Sequence, residues 1–351
     1  MRKFSDDMLE QPYVLQQVAS YYSTEEGREL LRSSKNLAER YAGRVIFSGM
    51  GSSYAASRLA GNYLWSLGIQ AIYVEASELL HYGMKTMLDQ SLLVLISQSG
   101  ESIEIKEILQ QLPPTVEVIG ITNDPASTLA RGSSLVFPLF AGDESTTSSK
   151  TYTAALAVTL LLCGSLAGLS PDLAIASIQA ASSKISELDT NLASIDWGQV
   201  TEWVQAANAV YLIGRGPAVA SALQGALTFK ELVKVPAECM EAAQFRHGPL
   251  ETVTDETLIF VFASQGATSE FAHSFVEELV NCGAKVIVIE EGIARIAHDA
   301  GYVRSRGAQV KLDEYFSTLV DIYPVQMAAN SLAERFGISG FKWITKVTHK
   351  E

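Results

Sequence analysis

The stretch "LLVLISQSGESIEIKEIL", residues 92–109, begins as an unbroken apolar run, breaks into small hydroxyl side chains around a glycine, and resumes with helical spacing. Apolar residues with no polar alternation belong in a strand covered on both faces, which is the environment of a parallel sheet. Beyond the break, Ile105, Ile108, Leu109 and Leu112 return at the three- and four-residue intervals of an amphipathic helix. The predicted order is strand, turn, helix. Ser97, Gln98, Ser99, Gly100, Glu101 and Ser102 then fall at the carboxyl end of the strand, where the loops of open parallel sheets carry ligands.

The same order recurs along the chain. "RVIFSGMGSSYAASRLAGNYLWSLG" (44–68) reads as a strand, a Gly-rich turn and a helix, and "AVYLIGRGPAVASALQGALTFKELV" (209–233) repeats it. "LLVLISQSG" (92–100) is echoed by "LIFVFASQG" (258–266), and "VEVIGIT" (116–122) by "AKVIVIE" (284–290), at an offset of about 165 residues. Two copies of one α/β domain explain this, each a three-layer α/β/α sandwich with a mainly parallel, flavodoxin-like sheet. A chain of 351 residues is long enough for two such cores. The segment 168–196 has a proline and small polar residues followed by an amphipathic helix, so the domains are expected at 1–185 and 186–351.

Backbone N–H groups at a helix start, with the positive end of the helix dipole, favour an anion by ~0.3–1 kcal/mol for each charge interaction. Ser97, Gln98, Ser99 and Ser102 surround one such start, and Ser52 and Ser53, after Gly51, mark another at a neighbouring strand end. A single serine here would read as a helix cap. The group together reads as a cradle of neutral donors for a phosphate ester, since no Lys or Arg cluster accompanies it. The second copy, "ASQGATSE", lacks the doubled serines, which places one such site in the first half.

Composition narrows the function classes. A formal net charge of -13 repels nucleic acid. Cys163, Cys239 and Cys282 are odd in number and widely spaced, so neither a zinc site nor a disulfide framework is expected, and a reducing cytoplasm fits. No metal or cofactor is indicated. The N-terminus lacks the apolar core of a secretion signal. "AALAVTLLLCGSLAGL", after Tyr152, is too short for a bilayer and is interrupted by Thr159, Gly164 and Ser165, so it reads as a buried helix.

The segments "EQP", "GSSYAAS", "LISQSGES", "ITNDPAS", "SSKTYT", "FKE", "RHGPL" and the terminal "TKVT" make the chain resemble the sugar isomerase (SIS) domain family along nearly its whole length. It is most similar to the isomerase half of glucosamine-6-phosphate synthase and to stand-alone amino-sugar-phosphate isomerases, deaminases and fructosamine-phosphate deglycases. The resemblance implies that Glu231 shuttles a proton between C1 and C2 and that His247 opens the sugar ring. It implies a Schiff-base role for Lys346, sugar contacts from Thr146 and Ser148, and a homodimer in which His247 reaches the neighbouring subunit's site. Read from the residues alone, Glu231 competes with Glu238 and Glu241 and with a solvated helix position, whereas Gly248 and Pro249 give His247 a rigid turn. His81, His273, His298 and His349 read as surface or packing residues.

Two departures shape the expected activity. Met1 and Arg2 lead directly into the sugar domain without a nucleophilic N-terminal cysteine, so a glutamine-independent enzyme is expected. Thr228 stands where the synthases carry a lysine, which removes a cation. The expected function is a phosphosugar isomerase/deaminase acting on an amino-sugar 6-phosphate. A fructosamine-6-phosphate deglycase and a non-catalytic phosphosugar sensor are the alternatives.

Overall fold

The computed structural model describes residues 3–41, 43–144, 147–190, 195–297 and 312–338. The chain is α/β, with two mainly parallel five-stranded sheets. In the first, β1 (Val45–Gly49), β2 (Ala71–Glu75), β3 (Leu92–Ile96), β4 (Val118–Thr122) and β5 (Leu135–Pro138) lie in the order β2-β1-β3-β4-β5, every pair parallel. In the second, β6 (Ala209–Gly214), β7 (Glu238–Glu241), β8 (Thr257–Phe262), β9 (Lys285–Glu290) and β10 (Ile293–Ala297) lie in the order β10-β9-β8-β6-β7. Read from β7, this is the same order, with β10 turned antiparallel to β9. In both sheets the chain leaves the first strand toward one edge and later continues toward the other, so the switch point lies between β1 and β3 in one and between β6 and β8 in the other.

The chain divides into two compact units. The first holds Tyr13–Glu144 and Ser148–Gln179. The second holds the described residues up to Pro12, Thr147, and those from Ala180 onward. The division falls inside the helix Pro171–Thr190, a few residues before the step expected after 185. The N-terminal segment departs further from expectation, because it groups with the second unit. Its polar groups explain this: Gln11 donates to Gln326 Oε1 at 2.7 Å, and Ser182 donates to the Pro12 carbonyl at 2.8 Å, joining it to residues far along the chain.

In the first unit all five residues of β1, β3 and β4 are buried, as their unalternating sequences require. One face of this sheet packs Ile46, Leu93, Leu95 and Val118 against Leu79, Leu80, Leu88, Ile105, Ile108 and Leu129. The helices Ser52–Ser66 and Lys150–Leu166 pack on each other and also meet the strands. The apolar helix Lys150–Leu166 is buried through Gly164, and no helix among the described residues is long and apolar enough to cross a membrane. In the second unit, Ile259, Val261, Val286 and Val288 pack against Phe245, Phe275, Val276 and Leu279, while the helix Ala218–Thr228 lies on β6 and β7.

The carboxyl ends of β8 and β9 carry a buried polar cluster. Ser264 donates to Asp321 Oδ2 at 2.7 Å and accepts the Glu291 N–H at 2.8 Å, and the Gly292 N–H reaches Asp321 Oδ1 at 2.9 Å. Lys184 pairs with the buried Glu291 at 2.8 Å. The serine of the second copy's "SQG" is thus engaged by the protein's own carboxylate. Burial pushes the Asp321 carboxyl up from 3.8 to about 7, against the hydrogen bonds that hold it. An acid whose folded pKa is raised stays protonated in the fold while the unfolded chain ionises, so stability falls as pH rises from about 4 to about 7. The expected outcome for Asp321→Asn is a weaker loss of stability across that window, by an amount of order a few kcal/mol. Urea unfolding midpoints at pH 4.5 and 7.5 measure it, and an unaltered pH slope would contradict the assignment.

Candidate functional site

The hydroxyl-rich loop of the first unit is built by two adjacent strands. Ser48 of β1 lies opposite Leu95 of β3, so both strands end at the same edge. Gly49 makes their close approach workable, because a Cβ there would sit 2.8 Å from the Ile96 carbonyl oxygen and 2.7 Å from Ser53 Cβ. Gly51 then turns with φ of 52° into the helix Ser52–Ser66. Ser52 and Ser53 therefore begin a helix beside the end of the strand that leads into Ser97–Ser102.

The loop after β3 is tied down by its own backbone. Ser97, buried, accepts the Gly100 N–H at 3.1 Å, and Ser99 accepts the Glu101 N–H at 3.2 Å. A hydroxyl that accepts still has a proton to donate, so both side chains keep a donor for a ligand. The Gln98 carbonyl accepts from the Asn123 N–H at 3.0 Å and the Thr122 hydroxyl at 3.2 Å, fastening the loop to the end of β4. Ser102 occupies the N-cap position of the helix Ile103–Gln111, yet its side chain makes no capping bond. The neighbouring cation, Lys106, pairs with Glu101 at 2.9 Å. Lys106, with the Thr128 N–H, holds the Glu101 carboxyl at about 2. What the loop offers an anion is an array of neutral donors at a helix start.

Glu231 lies in the second unit, where the helix Ala218–Thr228 continues into a π-helical turn, Phe229–Val233. The turn ends at Lys234 in the left-handed conformation, with φ of 62°. π-turns are rare and recur at functional sites, because the extra residue re-aims side chains. Here Phe229, Leu232 and Val233 are buried, Phe229 against the Phe260 ring at 5.5 Å, and Glu231 is left half-buried. Glu231 Oε2 accepts a short hydrogen bond from the Thr147 hydroxyl. Burial raises the Glu231 carboxyl above its ordinary value, while Thr147 and the charge of Lys234 pull the other way. A carboxylate so placed is a stronger base than a solvated one.

The other candidates are distributed as follows. His247 is exposed, and its backbone N–H donates to the Gln244 carbonyl at 3.0 Å. Gly248 follows with φ of 131°, a conformation that its lack of a Cβ permits. Glu241 is a structural group, accepting from the Gln244 N–H at 3.0 Å and pairing with Arg215 at 3.1 Å, whereas Glu238 is exposed. Thr228 is buried and donates to the Gln224 carbonyl at 2.9 Å. His273 is a packing residue, buried 3.3 Å from Glu290. Ser148 is half-buried. Thr146, His298, Lys346 and His349 lie outside the described residues.

Two groups escaped the sequence reading. Thr147, buried, is the hydroxyl that meets Glu231, and it lies between Thr146 and Ser148, the two expected sugar contacts. Glu144 accepts from the Ser149 N–H at 2.9 Å, the Ser149 hydroxyl at 3.0 Å and, at closer range, the Thr151 hydroxyl, and burial raises its carboxyl. The run "ESTTSSKT" signals only a polar loop; nothing in it tells which hydroxyl turns inward. Among the described residues no cluster of His, Cys, Asp or Glu could hold a metal ion.

The family model described as "SIS domain" matches residues 40–163 and 204–305. The chain belongs to the SIS domain family. Its two matched segments contain one sheet switch point each. The SIS chain is 31% identical over 299 residues to the glutamine–fructose-6-phosphate aminotransferase (isomerizing) of Pyrococcus horikoshii, covering 83% of this chain and 48% of that protein. It thus spans about half the length of the curated relatives it matches. Among solved structures, the C-terminal domain of glucosamine-fructose-6-phosphate aminotransferase from Francisella tularensis superposes with a TM-score of 0.78 at 24% identity, over 95% of this chain and 96% of that one. Glucosamine-6-phosphate deaminase from Thermotoga maritima superposes with a TM-score of 0.71 at 22% identity, over 94% and 95%. At these identities the superpositions speak for the fold.

The SIS loop depends on Gly100, which has φ of 63° and lies where a Cβ would come within 2.5 Å of Ser127 Cβ and closer still to its hydroxyl. Gly100→Ala is expected to cost about 1–3 kcal/mol through the left-handed backbone and this clash. It should lower the thermal midpoint by several degrees. A midpoint equal to that of the parent protein would show that the loop relaxes without cost.

Proposed function

We propose that this SIS protein is a phosphosugar isomerase/deaminase that converts an amino-sugar 6-phosphate and water to a ketose 6-phosphate and ammonia. The carrying observation is Glu231, a half-buried carboxylate of raised basicity aimed by a π-turn and a single hydroxyl. In the proposed reaction, Ser52, Ser53, Ser97, Gln98, Ser99 and Ser102 hold the phosphate by neutral donors. His247 opens the ring. Glu231 takes the proton from C2 of the open-chain sugar; the electron pair left behind forms the C1–C2 double bond of an enolamine as the C1 carbonyl π bond breaks and O1 takes up a proton, which the amino nitrogen later gives back. Returning that proton to C1 leaves an imine at C2, which water hydrolyses to the ketose and ammonia. A positioned acid/base of this kind contributes about 10²–10⁴ in rate.

The names of the relatives support this reading, since one is an isomerizing aminotransferase of fructose 6-phosphate and another a glucosamine-6-phosphate deaminase. Thr228 supports glutamine-independent chemistry, because it is a buried, internally bonded hydroxyl where the synthases place a cation. The exposed His247 is consistent with action on the substrate of a second copy, and we include a homodimer in the proposal. Thr146, Ser148 and Lys346 complete it as sugar contacts and a Schiff-base amine.

Incubation with glucosamine 6-phosphate should release ammonia and fructose 6-phosphate. Turnover confined to 6-phosphofructosamines, with amino-acid release, would reassign the protein as a deglycase. Tight binding of both without turnover of either would make it a sensor. Glu231→Gln is expected to lower kcat by about 10²–10⁴ and leave substrate affinity nearly unchanged, because the amide keeps the shape and loses the base. Equal kcat in that variant would remove Glu231 from the mechanism.

The base works only when ionised, so kcat/KM should fall as pH drops through a value above the ordinary carboxylate 4.5. Thr147→Val deletes a bond that favours the charged form, and its acid limb should move to higher pH. A limb that stays in place in Thr147→Val would show that the hydroxyl does not tune the base.

A further inference from the structure

The second unit has a switch point of its own, between β6 and β8, and no serine cradle. An open surface crevice lies there. Its polar lining comes from two arginines delivered by different elements. Arg215 follows Gly214 at the carboxyl end of β6, and Arg246 follows the short helix Ala242–Phe245 after β7. The helix after β8 supplies the apolar wall with Phe271 and Phe275.

Each guanidinium is held on two sides. Arg215 lies over the Phe271 ring at 5.5 Å, and Arg246 over Phe275 at 5.2 Å. Arg215 gives its Nε to Glu241 at 3.1 Å, and Arg246 gives its Nε to Glu278 at 2.8 Å with one terminal nitrogen close to the same oxygen. The carboxylates orient the forks and offset part of their charge. Because Glu241 engages Arg215 through Nε, that fork keeps its two terminal nitrogens for a further acceptor. Stacked, pre-aimed guanidiniums are the residues best suited to bidentate recognition of phosphate. Phe271 is 60% exposed, which leaves an apolar rim for the rest of such a ligand.

We propose that this crevice is a second anion site, taking the phosphate group of a small phosphorylated molecule on Arg215 and Arg246. It uses charged donors where the first unit uses neutral ones, and it stands independently of the activity proposed above.

Inorganic phosphate is the probe, in equilibrium dialysis with the full chain. In a Ser97→Ala/Ser99→Ala/Ser102→Ala background, one phosphate per chain should still bind. Arg215→Met added to that background should weaken it at least tenfold, and Arg215→Lys, which keeps the charge and loses the fork, should fall between. Binding should also weaken steeply with salt. If the serine variant binds no phosphate, or if Arg215→Met leaves its binding unchanged, the proposal fails. Failure of the serine loop as a phosphate site would show separately, as wild-type binding undiminished by the serine changes. As a measurement free of mutation, phosphate should protect Arg215 from phenylglyoxal, read by mass spectrometry of the native protein. Equal modification with and without phosphate would overturn the site.

Discussion

Strands buried on both faces leave little room for polar chemistry except at their ends. In β1, β3 and β8 every residue is buried, so a charge or an unpaired hydroxyl within them would lack water and partners. The loops at the carboxyl edges are where donors can be paired to the backbone and still face a ligand. Ser97, Ser99, Ser264 and Arg215 all sit on such loops. The helix-borne Glu231 is the exception, and it needs a π-turn to leave the regular i to i+4 ladder.

Buried carboxylates set the electrostatics, and they are handled in different ways. Asp321 is tied to Ser264 and the Gly292 N–H, and Glu144 is wrapped by Ser149 and Thr151. Both close a piece of structure. Glu231 receives one hydroxyl and remains half-buried, so burial raises its basicity without consuming both oxygens. That difference in partner number separates a structural acid from a candidate base better than depth alone. The two copies also differ in the donors at their strand ends: hydroxyls bonded to the loop backbone in one unit, and guanidiniums braced by carboxylates in the other.

The repeat gives the two sheets the same strand order but different edge chemistry. Where the first copy presents Ser97 and Ser99 around Gly100, the second spends Ser264 on Asp321 and Glu291 and brings arginines from the neighbouring strands. The antiparallel β10 is a further difference between copies that share one local pattern.

Parallel strands and helix starts are legible in the chain, because unalternating Val, Ile and Leu runs and Gly-rich turns follow from local sterics and solvation. The resemblance to known relatives sets Glu231 apart from Glu238 and Glu241 as an expectation. Three pairings come from packing alone: Thr147, rather than a neighbouring hydroxyl, meets Glu231, Glu241 braces Arg215, and the N-terminal segment joins the second unit through Gln11 and Gln326. Those pairings span 26 to 315 residues of chain, so no local pattern records them. They arise because a buried polar group must find a partner wherever the packed backbone happens to bring one.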